Sequence, residues 1–273
     1  MMQEIIKNAR ENQRRKNSYR DESGLLRCRD CGQPLEAFVE AMGEVLPVVC
    51  ACDTQAEEAQ KLAEQLAKAE RIAKASPLYD AGYNDYTFER DAAPGSPASR
   101  QSRAYVEHWP EMEKENFGLL FAGPLGVGKS YYAAAIINAL RAKGVSALIV
   151  TTSRFINTVR SAKDPQEIID GLNKFHLVAL DDLGAERDTG YAVEQLENFV
   201  NVRSLRKKPL IVTTNMLHND PDSPTGMPYA RIFDRIKEMC CHRIILTGPS
   251  KRGEREKERA KRCRAILGRG CDT

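Results

Sequence analysis

The sequence of 273 residues lacks the features of several specialised classes of protein. No apolar run reaches the roughly 18 residues that a membrane-spanning helix requires. The first twenty residues contain no apolar core of a secretory signal, and no internal repeat is found. A hydrophobic content of 42% is too high for a wholly disordered chain. We therefore expect a cytoplasmic globular protein, with no membrane partner, that consists of one main domain and an appendage.

The net charge of +3 conceals an uneven distribution. Residues 1–20 carry a net charge of +4 and residues 249–273 carry +5, so the residues between them sum to −6. Two basic ends around an acidic middle favour attraction to nucleic acid or to an acidic partner. Either end alone is equally consistent with a charged tail that is simply solvated.

The strongest motif is a glycine-rich loop that matches G-x-x-x-x-G-K-S between a predicted strand and a predicted helix. Glycines allow backbone N–H groups to surround phosphates, and the start of a helix adds positive potential. We expect Lys129 to reach the β- and γ-phosphates of a nucleotide, and the Ser130 hydroxyl to bind Mg²⁺. The predicted nucleotide-binding residues are Gly123, Pro124, Leu125, Gly126, Val127, Gly128, Lys129, Ser130 and Tyr131.

A second motif is an apolar strand that ends in two carboxylates, Asp181 and Asp182. In a P-loop fold, Asp181 is expected to hold Mg²⁺ through water. Asp182 stands where a general base polarises the attacking water. The other interpretation is an acidic turn after a buried strand.

Two weaker signals lie further along the chain. Asn215 follows a buried strand, and parallel strands deliver their carboxyl ends to one crevice, so Asn215 is expected to contact the γ-phosphate or the water. Arg231 and Arg235 are four residues apart on a predicted helix and share a face. One of them is a candidate arginine finger that acts on ATP held by a neighbouring subunit. Surface ion pairs with Asp234 or Glu238 are the alternative.

Four of the eight cysteines cluster near the start of the chain, as Cys28-x-x-Cys31 and Cys50-x-Cys52. Four thiolates can close a tetrahedral Zn²⁺ site. A module of about 30 residues is too small to be stable through its core alone, which favours a structural metal. A redox dithiol and loosely placed structural cysteines remain open as alternatives.

Short apolar strands alternate with helices from residue 103 onward. Strands are predicted at 118–122, 146–150, 176–180, 209–213 and 243–247. This pattern predicts an α/β fold with a five-stranded parallel sheet covered on both faces. The predicted domains are a basic arm with a cysteine module (1–53), a connecting helix and linker (54–102), and an ATPase domain with a basic C-terminal tail (103–273).

The motifs together resemble a known family. The segments FAGPLGVGKSYYAAAIINAL, LVALDDLGAE, LIVTTN, RIFDRI and LTGPSKR are similar to AAA+ ATPases of the bacterial DnaC/DnaI-type helicase-loader group, and especially to bacteriophage and prophage versions. Related IstB-type transposition ATPases share the pattern. The resemblance covers roughly residues 77–252. A cysteine module followed by a helix is similar to loaders that carry a zinc-binding helicase-docking domain.

The resemblance implies roles for the matching positions. Asn215 corresponds to sensor 1, Arg235 to the arginine finger, and Arg252 or its neighbour Lys251 to sensor 2. The segment that begins at Tyr86 corresponds to one that lies near the nucleotide base. The implied partners are a replicative DnaB-type helicase hexamer, single-stranded DNA, and further copies of the chain in an ATP-dependent ring or spiral.

Two departures from the usual AAA+ pattern qualify the resemblance. Asp182 stands where many AAA+ proteins have glutamate, and the shorter side chain predicts slow hydrolysis, which suits a switch. No C-terminal helical lid is evident; a basic, helix-like tail stands in its place. The functions that remain open are a helicase loader, an IstB-type helper of a DNA transposase, and a zinc-containing adaptor that binds ATP without turnover. A small-molecule kinase is disfavoured because no acceptor pocket or arginine-rich lid is found.

Overall fold

The computed structural model describes residues 17–184, 190–215 and 227–267. The chain divides between Gln65 and Leu66 into two compact units. The predicted basic arm at 1–20 lies almost wholly outside the described residues. Within the described part of the chain, no helix has the length and apolar character needed to cross a membrane.

The first unit is built from two antiparallel hairpins. In the first, β1 (Ser18–Arg20) pairs with β2 (Leu26–Cys28). In the second, β3 (Glu36–Val39) pairs with β4 (Glu44–Pro47). The core of this unit is small, and its fully buried hydrophobic residues are Cys28, Leu35 and Cys50.

A long helix, α1 (Ala51–Ala75), follows the hairpins and contains the division between the two units. The predicted connecting helix is therefore present. Among the side chains of this helix that the structure describes, burial is confined to the second half, where Ala69 and Ala73 are buried, whereas Leu62 is 46% exposed.

The second unit alternates strands with helices. Two 3₁₀ turns, at Ala81–Tyr83 and Phe88–Arg90, precede the first of its own helices. The remaining elements are α2 (Pro97–Glu107), α3 (Trp109–Lys114), β5 (Leu119–Ala122), α4 (Lys129–Arg141), β6 (Ala147–Thr151), α5 (Thr152–Ser161), α6 (Pro165–Leu172), β7 (Leu177–Leu183), α7 (Gly190–Leu205), β8 (Leu210–Thr214), α8 (Met227–Met239), β9 (His242–Ile245) and α9 (Lys251–Leu267).

The five strands form one parallel sheet in the order β6-β7-β8-β5-β9. Successive residues of a strand point to opposite faces. Leu120 and Val212 accordingly join a core that includes residues of α5 to α8, whereas Phe121 and Ile211 join a core that includes residues of α2 and α4. Burial on both faces explains why the strands have continuous apolar sequences. The predicted five-stranded parallel sheet is confirmed.

A buried arginine ties the amino-terminal ends of β7 and β8 together. The side chain of Arg203 is fully buried, and its guanidinium donates to the carbonyl oxygens of Pro209, Phe175 and His176. Buried charges are tolerated when their donors are satisfied in this way. Arg203 thus fixes the sheet at the edge opposite the predicted site.

Candidate functional site

The glycine-rich loop lies between β5 and α4, as predicted. Gly126 has a φ of +80°, and a Cβ at this position would lie 2.0 Å from the Ser250 Oγ atom. A Cβ at Gly123 would lie 2.1 Å from the Leu246 carbonyl oxygen. The loop therefore follows a tight path past β9 and the residues after it that only glycine permits.

Lys129, at the start of α4, is 5% exposed. Its Nζ atom donates to the carbonyl oxygens of Gly123 and Pro124, each at 2.8 Å, and to Asn215 Oδ1 at 2.7 Å. A buried ammonium group requires such partners. The bond to Asn215 links the loop after β5 to the carboxyl end of β8.

A single pocket brings together most of the residues predicted from the sequence. Its lining residues come from the loop and the first turn of α4, from the segment before α2, from the ends of β7 and β8, and from the start of α9. They are Tyr86, Arg90, Asp91, Ala92, Leu125, Gly126, Gly128, Lys129, Ser130, Tyr131, Asp182, Asn215 and Lys251. Asn215 and Asp182 thus lie beside the loop, at the carboxyl edge of the sheet.

The two carboxylates of β7 have different environments. Asp182 lines the pocket, whereas Asp181 is 2% exposed and is not among the lining residues. Asp181 Oδ1 accepts a hydrogen bond from Thr213 Oγ1 at 2.6 Å, and Oδ2 accepts one from Tyr83 Oη at 2.9 Å. Burial, together with the charge of Asp181, raises the pKa of Tyr83, so its hydroxyl remains a donor.

The segment before α2 is fixed to α4 by hydrogen bonds. Asn138 Nδ2 donates to the carbonyl oxygens of Tyr83 at 2.8 Å and Tyr86 at 2.9 Å. The Tyr131 hydroxyl donates to the Thr87 carbonyl oxygen at 2.6 Å. The sequence resemblance pointed to Tyr86 in this segment. No sequence signal identified Tyr83 as a partner of Asp181, because their contact spans the fold.

Some predicted site residues lie elsewhere. Gly123 and Pro124 contact Lys129 through their carbonyl groups, and Val127 is buried in the apolar core. Arg235 is exposed and donates to Glu238 Oε2 at 2.8 Å, and it is not among the described residues that line the pocket. Arg252 belongs to α9, but its side chain lies outside the described part of the structure.

Lys251, the alternative for sensor 2, is well placed at the pocket. Its backbone N–H donates to the Gly126 carbonyl oxygen at 2.9 Å, and its Nζ atom lies 6.0 Å from the centre of the Tyr132 ring. The first turn of α9 therefore lies against the glycine-rich loop.

The four N-terminal cysteines form a second cluster, in the first unit. The sulfur atoms of Cys28, Cys31, Cys50 and Cys52 all lie within 4.8 Å of one another. Hydrogen bonds from the Gln33 backbone and from the Cys52 thiol lower the pKa of Cys31, whereas the bond to Cys31 raises the pKa of Cys52 to about 12. Four sulfur atoms at this separation suit a tetrahedral metal site.

The loop, the lysine and the carboxylate in one pocket at the carboxyl edge of this sheet define a P-loop ATP-binding protein with the AAA+ fold. Sequence comparison agrees with this class and identifies the family. The chain belongs to the family of IstB-like ATP binding proteins, whose model matches residues 49–260.

Curated relatives of two kinds are similar to this sequence. The replicative helicase loader DnaC of Escherichia coli (strain K12) is 27% identical over 145 residues, which are 51% of this chain and 57% of DnaC. An ATP-binding protein in an insertion sequence of Mycobacterium tuberculosis is 25% identical over 194 residues, which are 69% of this chain and 75% of that protein. The chain thus spans little more than half the length of the DnaC protein it matches.

Solved structures agree with the sequence relatives. A crystal structure of DnaI superposes with a TM-score of 0.52 at 25% identity, covering 63% of this chain and 93% of that one. The predicted resemblance to DnaC/DnaI-type AAA+ proteins, and the predicted fold class, are confirmed.

Proposed function

We propose that this protein loads a replicative, hexameric DnaB-type helicase onto single-stranded DNA during DNA replication, and that ATP hydrolysis switches it between states. The observation that carries the proposal is a four-cysteine module joined to a nucleotide-binding unit that is similar to helicase loaders. An ATPase that acts on a protein client needs a surface to recognise that client. The described residues that line the nucleotide pocket all lie in the second unit, which leaves the cysteine module available for this purpose.

In the proposed mechanism, the backbone of the loop and Lys129 hold the phosphates of ATP. Asn215 and Asp182 orient a water molecule toward the γ-phosphate, and hydrolysis releases ADP and phosphate. Aspartate is one methylene shorter than the glutamate of many AAA+ proteins, so turnover is slow. Slow turnover suits a switch that persists until its client has been placed.

The oxygen donors near the pocket fit a magnesium ion. The Ser130 hydroxyl and the carboxylates of the tandem aspartates are the hard ligands that Mg²⁺ prefers. The sequence assigns the ion to Ser130 and Asp181, although Asp182 is the carboxylate that lines the pocket. When bound, Mg²⁺ neutralises charge on the phosphate oxygens.

We assign structural zinc to the four cysteines. Their chemistry fits, because thiolates are preferred zinc ligands and a closed set of four leaves no position for catalysis. Zinc would cross-link the four cysteines and so stabilise a module whose apolar core is very small. We assign helicase docking to this module.

Arg235 is proposed to act on ATP bound by the neighbouring subunit in a ring or spiral. Its exposed position on α8 is compatible with reaching another chain. Single-stranded DNA would control assembly, and assembly would control hydrolysis. The basic α9 and the helices α5 and α6 are candidates for contacting the DNA.

The test is to capture the replicative helicase with the purified protein, in ATP or ADP and with or without single-stranded DNA. Helicase binding that depends on the nucleotide is the expected result. The variant Lys129→Ala serves as the matched control, since its helicase binding should no longer respond to the nucleotide. No binding in any state would overturn the proposal.

A second candidate function is assistance to a DNA transposase. The insertion-sequence relative favours it, because that match covers 69% of this chain, more than the match to DnaC covers. A transposase and duplex DNA replace the helicase in the same capture experiment. Binding of the transposase, without binding of the helicase, would establish this second function. An adaptor that binds ATP without turnover is distinguished by the absence of phosphate release.

A further inference from the structure

We infer that Thr213 and Tyr83 are positioning residues that aim the tandem aspartates of β7, and that they let the shorter Asp182 act where a glutamate usually stands. The inference rests on the proposed ATP hydrolysis. Neither residue lines the nucleotide pocket, and both act through the aspartates that they contact.

The Thr213 hydroxyl contacts both aspartates at once. Its oxygen lies 2.6 Å from Asp181 Oδ1 and 2.9 Å from the backbone nitrogen of Asp182. The Thr213 hydroxyl donates its proton to the Asp181 carboxylate and accepts the Asp182 N–H through a lone pair of its oxygen. One buried side chain on β8 thereby fixes the side chain of the first aspartate and the backbone of the second.

The backbone at Asp182 departs from a regular strand. Its φ is +57°, in the left-handed region that non-glycine residues seldom occupy. The pairing of β7 with β8 shifts its register between Leu180 and Leu183. Strained conformations of this kind persist only where the surroundings hold them, and they concentrate at functional sites. The bond from Asp182 N to Thr213 is such a support.

Tyr83 binds the carboxylate oxygen of Asp181 that Thr213 does not contact. Its hydroxyl donates to Asp181 Oδ2, so both carboxylate oxygens of Asp181 are engaged by protein groups. The position of Tyr83 is itself fixed by Asn138, which donates to its carbonyl oxygen. The segment that reaches the pocket at Tyr86 is therefore connected to the buried carboxylate of Asp181.

The backbone conformation at Asp182 affects how far its carboxylate extends into the pocket. In a regular strand, consecutive side chains point to opposite faces, so two adjacent aspartates would not serve one site in the same way. The left-handed backbone lies at Asp182, which lines the pocket, whereas Asp181 is buried and does not line it. In this inference, the left-handed turn at Asp182 compensates for the methylene group that a glutamate would add.

The test compares hydroxyl-removing substitutions at two adjacent buried threonines. Thr213→Val should lower kcat for ATP hydrolysis by about tenfold or more, and the affinity for a fluorescent ATP analogue should change by no more than about threefold. Thr213→Ser retains the hydroxyl and should restore most of kcat. Thr214→Val is the matched control, because Thr214 is equally buried but donates to the Leu183 carbonyl oxygen. It should lower the melting temperature without a comparable loss of kcat.

Two further variants test whether the effect passes through the aspartates. Tyr83→Phe should lower kcat less than Thr213→Val does, with nucleotide affinity preserved. In a background of Asp182→Asn, Thr213→Val should cause a much smaller further loss of kcat than it does alone, because the carboxylate that the Thr213 bond to the Asp182 backbone would aim has already been removed. Equal losses from the two threonine variants, failure of Thr213→Ser to rescue, or additive losses with Asp182→Asn would each overturn the inference.

The readouts separate this inference from the loader proposal. Helicase capture measures the loader function and does not depend on the rate of hydrolysis. A protein that hydrolyses ATP but captures no helicase refutes the loader and leaves the threonine comparison decisive. Absence of turnover in the unsubstituted protein would overturn the positioning role directly.

Discussion

The cysteine module and the second unit differ first in how much apolar surface they bury. We name the second unit the ATPase unit, after its proposed activity. Among its described residues, the module has three fully buried hydrophobic residues, two of which are cysteines of the cluster. The ATPase unit covers both faces of a five-stranded sheet with apolar side chains. A large core is stable through hydrophobic burial, whereas a very small one needs cross-links or a metal. The comparison implies that the two units can be disabled separately.

The largest effect is expected from removing the charge at the centre of the pocket. Lys129→Ala should reduce phosphate release at least about a hundredfold, because the ammonium held by the carbonyl groups of the glycine-rich loop would be lost from the place where it faces the phosphates. Zinc content, measured on the same sample, should be unchanged. Residual turnover within about tenfold of the unsubstituted protein would contradict the assigned role of Lys129.

The reciprocal experiment disables the module. Cys28→Ser removes a buried member of the cysteine cluster, and we expect loss of bound zinc and of helicase capture. ATP turnover in the absence of helicase should stay within about twofold. The control is Cys263→Ser, at an exposed cysteine outside the cluster, which should change neither property. Helicase capture that survives in Cys28→Ser would refute the docking role.

Arg235→Ala tests whether the ATPase unit is complete within one chain. We expect turnover to fall by about tenfold or more while nucleotide affinity is retained, because an arginine finger acts in the transition state. Turnover should also lose its dependence on protein concentration. Lys237→Ala, on the same helix, is the control. A variant that keeps full turnover at every concentration would exclude Arg235 as the finger.

Arg203→Lys probes the stability of the larger unit. Lysine cannot reach three carbonyl oxygens with a planar fork, so the substitution should destabilise the ATPase unit by about 2–4 kcal/mol. Urea unfolding measures this loss, and zinc content should not change. Arg206→Lys, at an exposed residue paired with Asp170, should cost less than about 0.5 kcal/mol. Equal losses of unfolding free energy in the two variants would show that the buried hydrogen bonds of Arg203 do not stabilise the unit more than the exposed ion pair of Arg206.

The smallest effect is expected on the surface of the module. Phe38 is 57% exposed, so Phe38→Ser should alter the module's stability by less than about 0.5 kcal/mol. Leu35→Ala, at a fully buried position of the same module, should cost about 2 kcal/mol or more. The stability of the module in both variants is measured by how well they retain zinc in the presence of a competing chelator. Similar retention by the two variants would mean that the small core contributes nothing beside the metal.

The parts of the site that depend on local sequence were predictable. The glycine pattern before Lys129 fixes a loop that starts a helix, and apolar strands followed by Asp182 or Asn215 lead to the carboxyl edge of a parallel sheet. The five-stranded sheet followed from the alternation of apolar strands with helices.

Contacts that span the fold were not predictable in this way. The hydroxyl of Tyr83 meets Asp181 only because the segment before α2 is held on α4 by Asn138. The left-handed backbone at Asp182 has no signature in a strand of ordinary sequence. Asp182 lines the pocket and Asp181 does not, and neither residue type nor spacing distinguishes two adjacent aspartates.

The start of α9 has a practical consequence for anyone who shortens this protein. The basic C-terminal tail looks like a segment that can be trimmed to improve purification. Ser250 lies against Gly126, and Lys251 both lines the pocket and donates its N–H to the loop. A chain ended before Ser250 would therefore open one wall of the pocket proposed to bind ATP, whereas a chain ended after the first turn of α9 would keep it.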